Sequence, residues 1–350
     1  MKVSIIICTY NRQENIKYNL ATLNNHCKNF IHHIYVIDNA SNLPQSLSND
    51  FISIIPNKNL GGSGGYARGM YEAKKDKETT HIILMDDDIK FEPDVLQNAI
   101  SRLNDIDKND WLAFGMRTFE KPNIIYENTA FWNGIRPIAN HRGYNLIKDK
   151  QWKRRKCNYA AWWSLIMPIS VIDKYRYPMP YFIKSDDVEY ALRRRNETIH
   201  CFKDISILHE DFDKKYNHYI EYYNIRNYLI TNAIHLKHSL LKSWLMYVLR
   251  MGKSWLTGNF KKIKLANIGL KDFLLGPSCI TNTDLSEKNT MIRDMTNKAK
   301  INLINIITFP FIVFFNSLVL VFKYRRVRKQ YLDSYQYLTS EAYWEKQFNS

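Results

Sequence analysis

Short apolar runs alternate with longer amphipathic stretches through the first 215 residues of the chain. Residues 3–8, 34–37 and 51–55 are runs of the length and apolarity of strands buried on both faces. Between the first two runs, apolar residues recur at helical spacing over residues 16–23. Strands that alternate with helices predict an α/β fold, in which a mostly parallel sheet is flanked by helices.

The apolar run over residues 81–85 ends in three consecutive carboxylates, Asp86, Asp87 and Asp88. The carboxyl ends of parallel strands are where open α/β folds bind their ligands. Carboxylate oxygens are also the ligands that hard divalent cations prefer. The run therefore indicates a site for a cation that itself holds phosphates, and a solvated acidic turn after a strand is the alternative.

Four glycines occur within residues 61–65, and we predict a loop here that leads into a helix over residues 67–75. Glycine lets the backbone approach a ligand closely, and a helix N-terminus is a favourable site for phosphate. The segment is neither a Walker loop nor a GxGxxG motif directly after the first strand. A structural turn is therefore the alternative interpretation.

Adjacent tryptophans, Trp162 and Trp163, lie in a predicted strand over residues 158–168. Neighbouring residues of a strand point to opposite faces, so one indole can join the core while the other lines a pocket. Two buried core tryptophans are the alternative. The intervening segment over residues 118–156 is predicted to be irregular and to wrap over the site.

A second acidic cluster, Asp186, Asp187 and Glu189, follows an aromatic stretch. The apolar residues that come next predict a helix with these acids in its first turn, where the helix dipole favours them. A further strand over residues 205–210 carries His209 near its end. A histidine placed there, in a chain with two acidic clusters, is a candidate metal ligand.

The pattern changes near residue 216, and we predict an N-terminal α/β domain over residues 1–215 and a mainly helical region over residues 216–350. A long helical region is predicted from residue 222 to about residue 250. Residues 301–322 are apolar and uncharged but contain three asparagines and Pro310. We expect a helix–break–helix lying in a membrane interface, with burial in the helical region and a true membrane span as alternatives.

The formal net charge is +16, and residues 236–330 hold 17 Lys and Arg against 4 Asp and Glu. This asymmetry indicates an anionic partner, either a phospholipid surface, a nucleic acid or a phosphorylated acceptor, and a soluble basic helical domain is the alternative. Because no nucleic-acid-binding motif is present, we expect an anionic membrane surface and no nucleic acid. The five scattered cysteines form no CxxC pair, which favours reduced thiols and a cytoplasmic location. Together with the charge asymmetry, this leads us to expect peripheral association with the inner face of the cell membrane.

Taken together, these segments resemble inverting family 2 glycosyltransferases of the GT-A fold, and among them the bacterial galactofuranosyltransferases that build cell-surface galactans. The resemblance covers about residues 1–215. The motifs that carry it are Asn59-Leu60-Gly61-Gly62-Ser63-Gly64-Gly65 with Arg68, Met85-Asp86-Asp87-Asp88, Trp162-Trp163, Phe182-Ile183-Lys184-Ser185-Asp186-Asp187-Val188-Glu189-Tyr190, and His209.

The resemblance implies transfer of galactofuranose from UDP-galactofuranose to a hydroxyl of a glycan acceptor. From the basic, partly apolar C-terminal region we expect that acceptor to be linked to a lipid carrier. It implies that Asp86, Asp88 and His209 hold Mn²⁺ or Mg²⁺, and that Asp187 is the general base, with Asp186 as the competing choice. The implied donor-binding residues are Thr9, Asp38, Asn39, Asn59, Gly62, Arg68, Asp86 and Asp87, and the implied acceptor-binding residues are Trp162, Trp163, Asp186 and Glu189.

Three other functions are weighed against this one. A family 2 transferase of another nucleotide sugar, such as a rhamnosyl- or glucosyltransferase, shares most of the motifs. A basic nucleic-acid-binding module accounts for the charge alone. A Rossmann dehydrogenase is disfavoured because the first strand is followed by Thr9-Tyr10-Asn11-Arg12 and not by glycines. The sequence leaves an oligomeric state open.

Overall fold

The computed structural model describes residues 1–211 and 217–349. Strands and helices alternate in its N-terminal part, as the apolar pattern predicts. The elements are β1 (Val3–Thr9), α1 (Gln13–His26), β2 (His33–Asp38), β3 (Ile52–Pro56), α2 (Gly61–Lys75), β4 (His81–Asp86), β5 (Ile89–Lys90), α3 (Pro93–Arg102), β6 (Trp111–Thr118), β7 (Lys121–Glu127), β8 (Ala130–Trp132), β9 (Pro137–Ala139), β10 (Ser164–Pro168), α4 (Val171–Tyr175), α5 (Asp186–Ala191) and β11 (Ile199–His209).

Nine of the described strands form one sheet in the order β3-β2-β1-β4-β10-β6-β11-β5, with β7 paired to β6. Strands β1, β2, β3 and β4 are parallel, and so are β6 and β11, whereas β10 runs antiparallel between β4 and β6. Alternate residues of β1 join different apolar clusters, one under α2 and the other under α1 and α3. The central strands are therefore buried on both faces, which accounts for their continuous apolar runs.

Helix α2 begins at Gly61, earlier than predicted, and so includes the glycine-rich segment. A Cβ at Gly65 would lie 2.1 Å from Sγ of Cys8, and a Cβ at Gly69 would lie 2.1 Å from Cγ2 of Ile6. These glycines let α2 pack directly on β1, which offsets a helix-propensity cost of about 1 kcal/mol for each glycine. The expectation of a loop before the helix is wrong.

The segment over residues 118–156 is more regular than predicted. Strand β7 extends the main sheet by pairing with β6, and β8 and β9 form a separate two-stranded sheet. The tryptophan pair also differs from the prediction, because it precedes β10 instead of lying within it. The polar composition that suggested an irregular segment reflects an edge strand with an exposed face.

Helices make up the described chain beyond β11, and the predicted division between residues 215 and 216 lies outside the described residues. The predicted helical region over residues 222–250 consists of two helices, which are separated where His238 adopts a left-handed backbone with φ of 55°. The helices are α6 (Ile220–His235), α7 (Ser239–Leu256), α8 (Phe260–Leu274), α9 (Ser278–Thr281), α10 (Leu285–Asn297), α11 (Leu303–Leu338) and α12 (Glu341–Phe348).

Helix α11 is continuous through Pro310, so the predicted break is wrong. Proline has no N–H to donate to the carbonyl four residues earlier, which belongs to Ile306. The indole Nε1–H of Trp255, on α7, donates to that carbonyl at 3.4 Å and supplies the missing hydrogen bond. The helix is long and apolar enough to cross a membrane, and only 17% of its most apolar window is buried. Burial within the helical region, one of the three placements considered, is therefore contradicted.

Candidate active site

The path of the chain after β4 brings Asp86 and Asp88 to His209. Strand β5 leaves the line of β4 and pairs with the end of β11, where Ile89 lies opposite His209. Nε2 of His209 consequently lies 3.1 Å from Oδ1 of Asp88 and 3.5 Å from Oδ2 of Asp86. The candidate ligand atoms of Asp86, Asp88 and His209 all lie within 4.8 Å of one another.

The chemistry of this trio fits a divalent cation. Nδ1 of His209 lies 2.6 Å from the carbonyl oxygen of Glu210, so an Nδ1–H donates there and leaves Nε2 directed at the two carboxylates. The hydroxyl of Tyr66 donates to Oδ1 of Asp86 at 2.7 Å and orients that carboxylate. Carboxylates are ligands that Mn²⁺ and Mg²⁺ prefer, and an imidazole is a ligand that Zn²⁺ and Fe²⁺ also accept.

Asp87 faces away from this trio, toward the end of β1. Its Oδ2 accepts a 2.7 Å hydrogen bond from Oγ1 of Thr9, and its Oδ1 lies 3.1 Å from NH1 of Arg12. The same NH1 lies 2.6 Å from Oδ2 of Asp88. Arg12 thus offsets part of the negative charge of the triplet. Sequence reasoning missed this role, because an arginine that follows a strand does not indicate which acid it will contact.

The second acidic cluster begins α5, and its two aspartates have different surroundings. Asp186 is buried and accepts a 2.9 Å hydrogen bond from Oγ of Ser63 on α2. Asp187 is half-buried and accepts from the backbone N–H of Val188 at 2.8 Å. Burial, and then the charge of Asp186, raise the pKa of Asp187 to about 7, with a further contribution from Asp86. Burial raises the pKa of Asp186 as well.

Glu127, at the end of β7, is a further carboxylate near Asp187 that sequence reasoning missed. Burial, and then the charge of Asp187, raise the pKa of Glu127 to about 8. The glutamate lies in the segment that was predicted to be irregular. Its approach to α5 depends on the pairing of β7 with β6, for which the sequence carries no clear register signal.

The residues predicted to meet the nucleotide gather at the carboxyl ends of β1 and β2. Oδ1 and Oδ2 of Asp38 accept hydrogen bonds from three backbone N–H groups of residues 40–43, which fixes the loop after β2. Nδ2 of Asn39 donates to the carbonyl of Gly61 at 3.0 Å, and Oδ1 of Asn59 accepts from the N–H of Gly61. Gly62 faces Asp186, whose Oδ2 lies 3.8 Å from the position of a Cβ. Their contacts with a nucleotide stay predictions.

Both tryptophans are buried, with 4% of Trp162 and 6% of Trp163 exposed. Trp162 packs edge to face against Tyr66 at 5.3 Å, whereas Nε1 of Trp163 donates to the carbonyl of Phe114 in the opposite cluster. The two indoles do point to opposite faces, but neither presents an open ring face to an acceptor. The alternative of two core tryptophans agrees with this geometry, because β10 lies between two central strands.

Two further residues lie elsewhere than predicted. Glu189 is fully buried and is bound by Arg193, His235 and Tyr335, so neither carboxylate oxygen is open to an acceptor. This corrects the acceptor-binding role, because helices α6 and α11 pack over α5. Arg68 pairs with Glu72 and lies 5.1 Å from the ring centroid of Phe348 on α12, which directs it to the C-terminal helix and not to the aspartates.

Comparisons with known proteins bear on the family and the fold of the chain. The family described as Glycosyl transferase family 2 matches residues 4–167. Galactofuranosyltransferase GlfT2 of Mycolicibacterium smegmatis is 28% identical over 257 residues, which cover 65% of this chain and 38% of that protein. Galactofuranosyltransferase GlfT2 of Mycobacterium tuberculosis is 28% identical over 266 residues, or 65% of this chain and 39% of that protein. The chain thus spans about two fifths of the length of these relatives.

Among solved structures, the crystal structure of S. aureus TarS 1–349 superposes with a TM-score of 0.50 at 13% identity, and the match covers 93% of this chain and 92% of that chain. At this identity the likeness concerns the fold alone, and it extends through the C-terminal helices. The α/β sheet, the matched family and the relatives agree with the resemblance seen in the sequence. Residues 4–167 therefore match glycosyltransferase family 2, within a chain whose fold resembles that of GT-A transferases.

Proposed function

We propose that the chain is a metal-dependent, inverting galactofuranosyltransferase that uses UDP-galactofuranose as donor. The observation that carries the reaction type is the convergence of the Asp86, Asp88 and His209 trio with Asp187, whose pKa is about 7. Helix α2 links the two acidic clusters, because Ser63 donates to Asp186 at 2.9 Å and Tyr66, one helical turn later, donates to Asp86 at 2.7 Å. The choice of sugar rests on the two relatives named galactofuranosyltransferase.

On the donor side, a cation held by Asp86, Asp88 and His209 would offset the charge that develops on the departing UDP. Tyr66 and Arg12 keep the carboxylates of the triplet in place, through hydrogen bonds of 2.7 Å to Asp86 and 2.6 Å to Asp88. The side chains at the ends of β1 and β2 border the same edge of the sheet, where α/β folds bind nucleotides. We assign uridine contacts to Thr9, Asp38 and Asn39, and donor contacts to Asn59, Gly62 and Asp87.

On the acceptor side, Asp187 takes the proton from the attacking hydroxyl. The new bond joins that oxygen to the anomeric carbon, the bond from the anomeric carbon to the phosphate oxygen breaks, and UDP leaves with the electron pair. Direct displacement from the opposite side inverts the anomeric centre. A pKa of about 7 suits a general base near neutral pH. Asp186 is the weaker choice because it is buried and already accepts from Ser63.

The acceptor in this proposal is a glycan on a lipid carrier, met at the inner face of the cell membrane. Helix α11 supports this because it exposes a stripe of large apolar residues at helical spacing, including Phe311, Phe315 and Phe322. Exposed Lys323, Arg325, Arg326 and Lys329 follow the stripe directly. Apolar side chains beside a basic cluster suit an anionic phospholipid surface, to which the chain would bind peripherally.

A donor screen tests the proposed reaction. UDP-galactofuranose, UDP-glucose and dTDP-rhamnose are each offered with Mn²⁺ and a synthetic lipid-linked acceptor, and the products are analysed by NMR. We expect transfer from UDP-galactofuranose alone, with an inverted anomeric configuration, and loss of transfer in the presence of a chelator. Transfer from one of the other donors while UDP-galactofuranose is ignored would replace the proposed sugar, and retention of configuration would exclude the single-displacement chemistry.

A further inference from the structure

The segment that leads into α5 has a backbone conformation that these residue types rarely adopt. Phe182, Lys184 and Ser185 have φ values of 73°, 68° and 70°, in the left-handed region that favours glycine. Asp186 and Asp187 follow immediately, so their direction depends on this conformation. A strained segment persists only where its surroundings hold it in place.

Two adjacent side chains of α6 hold the carbonyls of this segment. Nδ2 of Asn227 donates to the carbonyls of Ile183 and Lys184, both at 2.8 Å. NH2 of Arg226 donates to the carbonyl of Tyr181 at 2.6 Å. Asn227 is fully buried and Arg226 is 1% exposed, so water does not compete for these hydrogen bonds.

The orientation of the Asn227 amide is itself determined by its neighbour. Nε of Arg226 donates to Oδ1 of Asn227 at 2.9 Å, and because a guanidinium only donates, the amide NH₂ must face the carbonyls. NH1 of Arg226 donates to the hydroxyl of Tyr222, which donates to Oδ2 of Asp272 at 2.6 Å. The guanidinium also lies 5.1 Å from the ring centroids of Tyr222 and Tyr223.

Burying a guanidinium is unfavourable unless its donors are satisfied. The guanidinium of Arg226 donates to the carbonyl of Tyr181 and to the amide of Asn227, which in turn holds the carbonyls of residues 183 and 184. We infer that Arg226 and Asn227 are positioning residues, which hold the backbone of residues 181–184 so that Asp187 projects into the active site. The inference rests on the proposed function, since Asp187 is the group whose position matters. It gives the C-terminal helices a part in the chemistry of the α/β domain.

Two variants of the full chain test the inference. Asn227→Ala removes the amide. Asn227→Asp keeps the size of the side chain and an oxygen that faces Arg226, but it replaces the amide donor with a second oxygen. It serves as the test variant if Asn227→Ala does not fold. In either folded variant we expect kcat for galactofuranose transfer to fall at least tenfold, while the KM for UDP-galactofuranose stays within about twofold.

Asn267→Ala provides the matched control. Asn267 is a buried asparagine on α8 whose Oδ1 accepts from Tyr247 and Asn316, inside the helical region. Its loss removes hydrogen bonds of the same kind without touching residues 181–184. We expect this variant to lose thermal stability but to keep kcat within twofold of the wild-type value.

Hydrogen–deuterium exchange of the peptides that contain residues 183–190 gives a readout independent of activity. We expect faster exchange there in the Asn227 variants and an unchanged rate in Asn267→Ala. Unchanged kcat and unchanged exchange in both Asn227 variants overturn the inference, as does an equal loss of kcat in Asn267→Ala. If the wild-type chain transfers no galactofuranose, the proposed function fails, and the exchange rates still decide whether Asn227 holds the segment.

Discussion

Oγ1 of Thr9 donates a 2.7 Å hydrogen bond to Oδ2 of Asp87, and this contact separates the roles of three consecutive aspartates. Asp87 is turned toward β1 and held there, whereas Asp86 and Asp88 face His209. Asp86 ends β4, Asp87 and Asp88 form the turn into β5, and the pairing of β5 with β11 returns Asp88 to His209. Only the outer members of the triplet are available to share a cation with the histidine.

Removing Asp88 should therefore weaken the binding of metal and UDP together. We expect Asp88→Ala to lower the affinity for UDP in the presence of Mn²⁺ at least tenfold, which corresponds to about 1.4 kcal/mol, because one of three ligands is lost. Titration calorimetry with and without Mn²⁺ measures the effect. Asp173→Ala, which removes an exposed carboxylate paired with Lys74, is the control. An unchanged Mn²⁺-dependent affinity in Asp88→Ala would exclude the assigned metal site.

Asp187 should be needed for transfer but not for donor binding. We expect Asp187→Asn to reduce kcat by about 10²- to 10⁴-fold, the usual contribution of a general base, while Mn²⁺-dependent UDP affinity stays within twofold. Asp186→Asn is the companion variant, since it removes a charge from the same turn. If Asp186→Asn abolishes transfer and Asp187→Asn does not, the base is Asp186.

The rate of transfer should depend on pH through the same group. Burial and the charge of Asp186 raise the pKa of Asp187 to about 7, and a base acts only when deprotonated. We therefore expect kcat to rise as pH increases toward 7 and to level off above it. A profile of kcat from pH 5.5 to pH 8.5 at saturating donor measures this. A flat profile over that range would show that Asp187 is ionised throughout or is not the base.

The strands and the acidic clusters were predictable because each is a local pattern. An apolar run that ends in carboxylates identifies both a buried strand and the chemistry at its end, and this held for β4 and Asp86. The partners Arg12, Tyr66 and Glu127 were missed, because their approach to the aspartates depends on strand order and on the crossing of β5 to β11. Contacts between residues this far apart in the chain cannot be predicted from local sequence patterns.

Glu189 shows a second limit of local patterns. It lies one helical turn from Asp186, and in the sequence the two acids are equivalent members of one cluster. Glu189 differs from Asp187 in burial because α6 and α11 bring His235 and Tyr335 onto Glu189, whereas Asp187 stays half-buried. Which acid is buried is therefore decided by helices that begin far along the chain.

The same contacts predict that Glu189 contributes to stability. Burial alone would raise the pKa of Glu189, but the charge of Arg193 and the hydrogen bond from His235 lower it from 4.5 to about 2. Leaving Arg193 buried without a carboxylate should cost about 3–5 kcal/mol, so we expect Glu189→Gln to lower the free energy of unfolding by an amount of that order. Urea unfolding at pH 7 measures it, with Glu14→Gln, which breaks an exposed pair with Lys17, as the control.

The pH dependence of that difference has a defined sign. A carboxyl whose pKa is lower in the folded state stabilises the fold when ionised, and this contribution is lost as pH falls through the folded pKa. The stability difference between the wild type and Glu189→Gln should therefore be largest above about pH 4.5 and shrink as pH approaches 2. A difference that grows on acidification would contradict the assigned ion pair.

The apolar stripe of α11 predicts binding to anionic membranes. Phe311, Phe315 and Phe322 are 64%, 63% and 82% exposed and lie on one face of the helix. Full burial of one phenylalanine side chain contributes about 1.5–3 kcal/mol, so replacing all three by serine should lower vesicle affinity well beyond tenfold. Cosedimentation with vesicles of phosphatidylcholine and phosphatidylglycerol measures the change.

Ile147→Ser is the matched control, because Ile147 is 73% exposed but lies outside the helical region. It should bind the vesicles like the wild type. The basic residues that follow the stripe should make binding sensitive to salt and to the fraction of phosphatidylglycerol, since each is worth about 1 kcal/mol near an anionic surface. If the triple serine variant still binds as the wild type does, the stripe does not contact the membrane. If binding does not depend on salt or on the fraction of phosphatidylglycerol, the basic cluster does not contact the membrane.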